Sequence, residues 1–212
     1  MGEETGFVLD WYDGPLSIFS FQDGEVWFFR ILREEFRHKN YFQAWACEKT
    51  TKEKLTNYLS GKTDFRTFCK EFSEHYVLAL LGDRQKLYKT GMVEDYLPQG
   101  DDHYGTLTYI ELVYWSINTR EKPPKIAELA EYTDFFIDKQ NAYLFVNQNS
   151  KKICGFYKGG STFYTLTVKD ETTQFVYDFI LNSKLVKAKV EALLTDKSPK
   201  IRNVGKTLLE LR

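Results

Sequence analysis

The chain has 212 residues, 42% of them hydrophobic and 28% charged, with a net charge of −1. That composition is ordinary for a globular protein and excludes collagen-like, low-complexity and strongly basic nucleic-acid-coating classes. No stretch approaches the roughly 18 apolar residues that a membrane span needs, so no membrane partner is expected.

The first quarter reads as antiparallel strands. Phe7–Tyr12 is apolar and is punctuated by Asp13-Gly14-Pro15. Leu16–Phe21 and Glu25–Leu32 flank Asp23-Gly24, a dipeptide suited to a tight hairpin because both central residues of a type I′ turn need positive φ. The charged run 33–40 is expected to be a loop, and Tyr41–Glu48 a fourth strand. Thr50 or Thr51 is placed to cap a helix over Lys52–Ser60, which Gly61 would end. Thr63 or Asp64 starts a second helix with Phe65, Phe68, Cys69 and Phe72 on one stripe. Tyr76–Leu81 and Lys86–Met92 bracket Gly82-Asp83 as another hairpin, and the polar run Val93–Tyr104 is the expected boundary.

Beyond it, Thr106–Ile117 reads as strand. Pro123-Pro124 opens a predicted helix with Ile126, Leu129, Ala130, Phe136 and Ile137 inward. Ala142–Val146, Lys152–Tyr157 and Thr162–Val168 read as short strands, and Asp170–Thr195 as one long helix. A last helix follows Ser198-Pro199, with Ile201, Val204, Leu208 and Leu209 as its stripe. The fold class is therefore α+β. A mostly antiparallel N-terminal half with two short helices (1–104) precedes a second α+β unit ending in helices (105–212), unless the two form one continuous domain.

Trp11-Tyr12-Asp13-Gly14-Pro15, the turn at Gly24, the aromatic strand Val26–Phe29, Trp45, the two helices around Gly61 and Asp64, and Tyr96-Leu97-Pro98 occur in that order. Over about residues 5–105 this resembles a family of small uncharacterised bacterial proteins that open with a tyrosine-aspartate-glycine-proline strand and turn. The resemblance implies no activity and carries no functional residues. The C-terminal hundred residues depart from that pattern.

Catalytic signatures fail on spacing. Gly61-Lys62-Thr63 and Gly205-Lys206-Thr207 lack the upstream glycine of a phosphate loop, whose positions hold Thr56 and Lys200. His38, His75 and His103 are scattered, and Asp101-Asp102-His103 lies in one loop without distant ligands. Asp134, Asp138 and Lys139 lie at a predicted helix end, the wrong setting for a nuclease cluster. Cys47, Cys69 and Cys154 are odd in number and widely spaced, so they read as core thiols of a cytoplasmic protein rather than a zinc site, a disulfide framework or nucleophiles. No catalytic residue, metal or cofactor is assigned.

Aromatic residues make up 17% of the chain, and Tyr and Trp are common interface anchors. The expected function is a non-enzymatic protein-binding module with a protein partner. A role in bacterial or phage conflict, of inhibitor or immunity type, falls within it. Its candidate interface is Trp11, Asp13, Trp27, Trp45, Tyr96 and Asp101. One alternative is an enzyme of unrecognised class. The other is a nucleic-acid-associated protein, because charge is uneven: residues 1–103 carry a net −5 and 104–212 a net +4. Its contacts would be Lys184, Lys187, Lys189, Lys200 and Arg202 on the C-terminal helices. Oligomeric state is not readable from the sequence.

Overall fold

The computed structural model describes residues 6–11, 15–37, 40–92, 97, 126–131, 134–138, 142–157, 163–182, 186–188 and 190–211. The chain divides into two compact units, Met1–Leu107 and Thr108–Arg212. The expected boundary at 104/105 and the expected strand at 106–117 lie outside the described residues.

The first unit is built on a six-stranded antiparallel meander in chain order. Its strands are β1 (Phe7–Trp11), β2 (Pro15–Gln22), β3 (Glu25–Arg37), β4 (Asn40–Thr50), β5 (Glu74–Leu81) and β6 (Arg84–Thr90). Turn chemistry sets the hairpins. Asp23 and Gly24 have φ of 53° and 77°, as a type I′ turn requires. Gly82 has φ of 54°, and Asp83 completes a two-residue turn between Leu81 and Arg84. Of the expected loop at 33–40, the described residues 33–37 and 40 are instead strand, at the far end of the long β3–β4 pair. Polar side chains there satisfy one another across and along the strands: Gln43 donates to Glu34 at 3.0 Å and Arg33 to Glu35 at 2.8 Å. A polar composition therefore marks a strand exposed on its faces, not a loop. Leu32 is an extra residue in β3, because Ile31 pairs with Trp45 and Arg33 with Ala44.

Two short helices connect β4 to β5. Thr51 caps α1 (Lys52–Leu59), accepting from the Lys54 amide at 3.3 Å, and Gly61 follows it with φ of 71°. Asp64 caps α2 (Phe65–Lys70), accepting from the Thr67 amide at 2.8 Å. Their aromatic residues, with Phe72 just beyond α2, gather around Phe28 of β3. Ring centroids of Tyr58, Phe65, Phe68 and Phe72 lie 5.2–6.3 Å from that of Phe28. Much of the aromatic load of this half is thus core, where rings bury large area at low rotamer cost.

The second unit holds a five-stranded antiparallel sheet of order β10-β9-β8-β7-β11. The strands are β7 (Asp134–Asp138), β8 (Ala142–Asn147), β9 (Lys152–Tyr157), β10 (Phe163–Thr167) and β11 (Val186–Ala188). Two expected helices are corrected here. Ile126–Glu131 is a short 3₁₀ segment, and Phe136 and Ile137 belong to β7. The expected helix 170–195 is α3 (Glu171–Asn182), then β11, then a 3₁₀ segment Val190–Thr195. In both places sheet pairing overrides helical periodicity: β7 takes β8 on one edge and β11 on the other.

The last helix, α4 (Pro199–Glu210), buries Ile201, Val204 and Leu208 with Leu193, Val190, Leu129, Tyr143, Phe145 and Cys154. Leu209, expected on that stripe, is exposed. Gly205 lies where α4 meets the 3₁₀ segment, and a Cβ there would stand 2.9 Å from Leu193 Cβ. This close approach, not phosphate binding, accounts for the glycine of the second Gly-Lys-Thr triplet. The Tyr143 hydroxyl donates to Asp196, whose other carboxylate oxygen accepts the Ser198 amide at 2.8 Å.

Candidate functional site

Antiparallel register places directly paired residues on the same face of a sheet. One face of the N-terminal sheet carries Phe28 and its helices. The other face is ordered in rows that cross the strands. Ile31, Trp45, Leu78 and Leu87 form one apolar row from β3 to β6. Beside it run Ile18, Phe29, Cys47, Tyr76 and Lys89, and then Ser20, Trp27, Lys49 and Glu74. Leu87 ends the apolar row and is 55% exposed, whereas Trp45 is only 7% exposed.

The outer rows form a charged aromatic cluster. The Trp27 ring lies 6.4 Å from Phe29 and 5.7 Å from Tyr76. The Lys49 ammonium sits 5.0 Å from the Trp27 ring centre, 2.7 Å from Glu25 and 3.4 Å from Glu74. Tyr76 donates to Glu74 at 2.5 Å. That hydroxyl, ahead of Lys49 and Lys89, holds the Glu74 carboxyl below its ordinary range, and Glu74 in turn pushes the Tyr76 hydroxyl up. Glu25, ahead of Glu74, raises the Lys49 ammonium.

Of the residues singled out in the sequence, Trp27 and Trp45 share this face on neighbouring strands. Trp27 is half-buried, and Trp45 is buried with its indole N–H donating to Gln43 at 3.3 Å. Trp11 ends β1, its backbone opposite Pro15. Asp13, Tyr96 and Asp101 lie outside the described residues, as do Lys184 and Lys189. Lys187 is in β11 rather than on a helix. Lys200 is exposed in the first turn of α4. The Arg202 guanidinium donates to the carbonyls of Asp196 and Lys197 at 2.7 and 2.9 Å, clamping the turn that precedes α4. The described residues of the expected basic helix face are thus divided between β11 and α4.

A group that the sequence reading missed lies on the helix-covered face. Arg30 Nε and Nη2 donate to the Glu48 carboxylate at 3.1 and 3.4 Å, and His75 Nδ1 lies 3.2 Å from Glu48 Oε1. Arg30 and Glu48 are buried, in neighbouring strands, and Glu48 pairs directly with His75. Strand parity was the available signal: Arg30 shares the parity of Val26 and Phe28, and Glu48 that of Ala46. The adjoining recess reaches Thr90, Met92 and Leu97 and has a volume of about 10 Å³. That is room for about one water, so the triad as it stands ties β3, β4 and β5 together.

The three thiols are buried and unpaired. Burial pushes each of Cys47, Cys69 and Cys154 from 9.0 up to about 12. Among the described residues, no group of three or more His, Cys, Asp or Glu is placed to hold a metal ion. Likewise no described helix is long and apolar enough to cross a membrane. No family model, curated protein or solved structure matches the chain.

Proposed function

We propose that the chain is a protein-binding module of the cytoplasm that engages its partner through the N-terminal sheet. The observation that supports this reading is the apolar cross-strand row Ile31, Trp45, Leu78 and Leu87, which runs out to a largely exposed leucine beside the Trp27–Phe29–Tyr76 cluster. Apolar and aromatic surface rimmed by charge is the usual anatomy of a protein contact, with a few anchors supplying most of the affinity. Three buried, unpaired thiols fit a reducing compartment.

The test compares partners captured from native lysate by wild-type chain and by Leu87→Glu, quantified by mass spectrometry. Leu87 is exposed, so the change leaves the core untouched. A protein held in stoichiometric amount by wild type and lost from Leu87→Glu supports the reading. Identical protein profiles, or eluates dominated by nucleic acid, sink it.

A further inference from the structure

The same sheet ends in an edge strand. In β6 every residue except Thr90 is exposed, and among the described residues no strand pairs with its outer side. Leu81 and Arg84 flank a two-residue turn and therefore form a hydrogen-bonded pair. Alternation from that pair turns the backbone groups of Arg84, Lys86, Tyr88 and Thr90 toward β5. Those of Gln85, Leu87 and Lys89 point away from the sheet.

The side chains are one-signed. The strand reads Arg-Gln-Lys-Leu-Tyr-Lys-Thr, with three cations and no carboxylate. Arg84 has no ion-pair partner among the described residues. The Lys86 ammonium lies 4.8 Å over the Tyr88 ring, and Lys89 reaches Glu74 only at 3.9 Å. Leu87 and Tyr88, 55% and 46% exposed, project from opposite faces of the strand. A strand laid alongside would cover both.

We propose that β6 is a docking edge for an extended acidic segment of another protein, which joins the N-terminal sheet as a seventh strand. The proposal rests on the protein-binding reading above and names its contact and the partner's chemistry. Main-chain hydrogen bonds to Gln85, Leu87 and Lys89 supply affinity, and alternate side chains supply selectivity. Carboxylates opposite Arg84 and Lys86, which share one face of β6, form favourable cross-strand pairs, and Lys89 adds positive charge on the other face. The same cations disfavour a second copy of this edge, since lysine on an edge strand repels its like.

The test is fluorescence anisotropy with a labelled synthetic peptide alternating valine and glutamate, about eight residues long. Two control peptides accompany it, one with lysine for glutamate and one N-methylated at alternate amides. The expected result is binding of the acidic peptide alone. Affinity falls roughly tenfold for Arg84→Glu combined with Lys86→Glu, and similarly for Leu87→Pro, which removes an outward N–H while sparing the β5 ladder. If Leu87→Pro does not fold, the N-methylated peptide carries the backbone test. Equal binding of the lysine or N-methylated peptide, or no binding of the acidic one, overturns the proposal. So does a solution dimer that Leu87→Pro dissociates, since that assigns the edge to a second copy. Should the acidic peptide fail while Leu87→Glu still loses a captured partner, the edge is wrong and the sheet-face reading stands.

Discussion

Gly205→Ala in the middle of α4 sets two known effects against each other. Replacing a helix-interior glycine with alanine gains about 1 kcal/mol in propensity. Here the new Cβ would stand 2.9 Å from Leu193 Cβ, 3.2 Å from Leu194 Cδ2 and 3.3 Å from the Leu194 backbone nitrogen. Two of those atoms move only if the 3₁₀ segment moves, and overpacking of that kind costs about 1–3 kcal/mol. The clash wins, by about 1 kcal/mol. For a unit of about a hundred residues that lowers the unfolding midpoint by roughly 4–8 °C. Circular dichroism melts and urea titrations read it directly. Asn203→Ala, exposed on the same helix, is the control and gains about 0.5 kcal/mol. A midpoint that rises for Gly205→Ala as it does for Asn203→Ala refutes the packing argument.

Glu48→Gln removes the carboxylate shared by Arg30 and His75 on the covered face. Breaking a buried ion pair from one side costs about 3–5 kcal/mol, so the urea midpoint falls sharply; a change under about 1 kcal/mol would show that the triad adds little. Asp64→Ala deletes the cap of α2 and lowers stability by about 1 kcal/mol. Asp64→Asn retains most of it. The three thiols stay unreactive toward a disulfide reagent at pH 8 until denaturant is added, and one fast-reacting thiol in the folded chain would contradict their burial. Because folding raises these pKa values from 9.0 to about 12, the linked stability is complete below pH 9.0 and is lost as pH climbs toward the folded value. A Cys154→Ala variant accordingly loses stability less steeply over that alkaline range.

Where local chemistry decides conformation, the sequence was readable. Asp23-Gly24, Gly82-Asp83, the Thr51 and Asp64 caps and the Pro199 helix start all act within four residues, and each element stands where its signal lay. Segments decided by distant partners were not readable. Phe136 and Ile137 match a helical stripe, but pairing with Leu144 and Tyr143 makes them strand. Val186–Ala188 is strand because β7 offers an edge to it. The candidate site shows the same division. Trp27 could be proposed from its type alone, but the rows across the sheet depend on register among four strands. Glu48 meets residues 18 and 27 positions away in the chain, which no spacing rule addresses.

The extra residue in β3 gives the long hairpin a tolerance that the rest of it lacks. Side chains alternate strictly along a strand, so losing one residue elsewhere in β3 turns everything on one side of the lesion inside out. Leu32 is different, since the ladder already steps from Ile31–Trp45 to Arg33–Ala44 around it. Its removal closes the ladder with Val26, Phe28 and Arg30 still against the helices and the Arg33–Glu35 pair on its present side. The hairpin can thus shorten by one residue at this single seam without changing what either face displays.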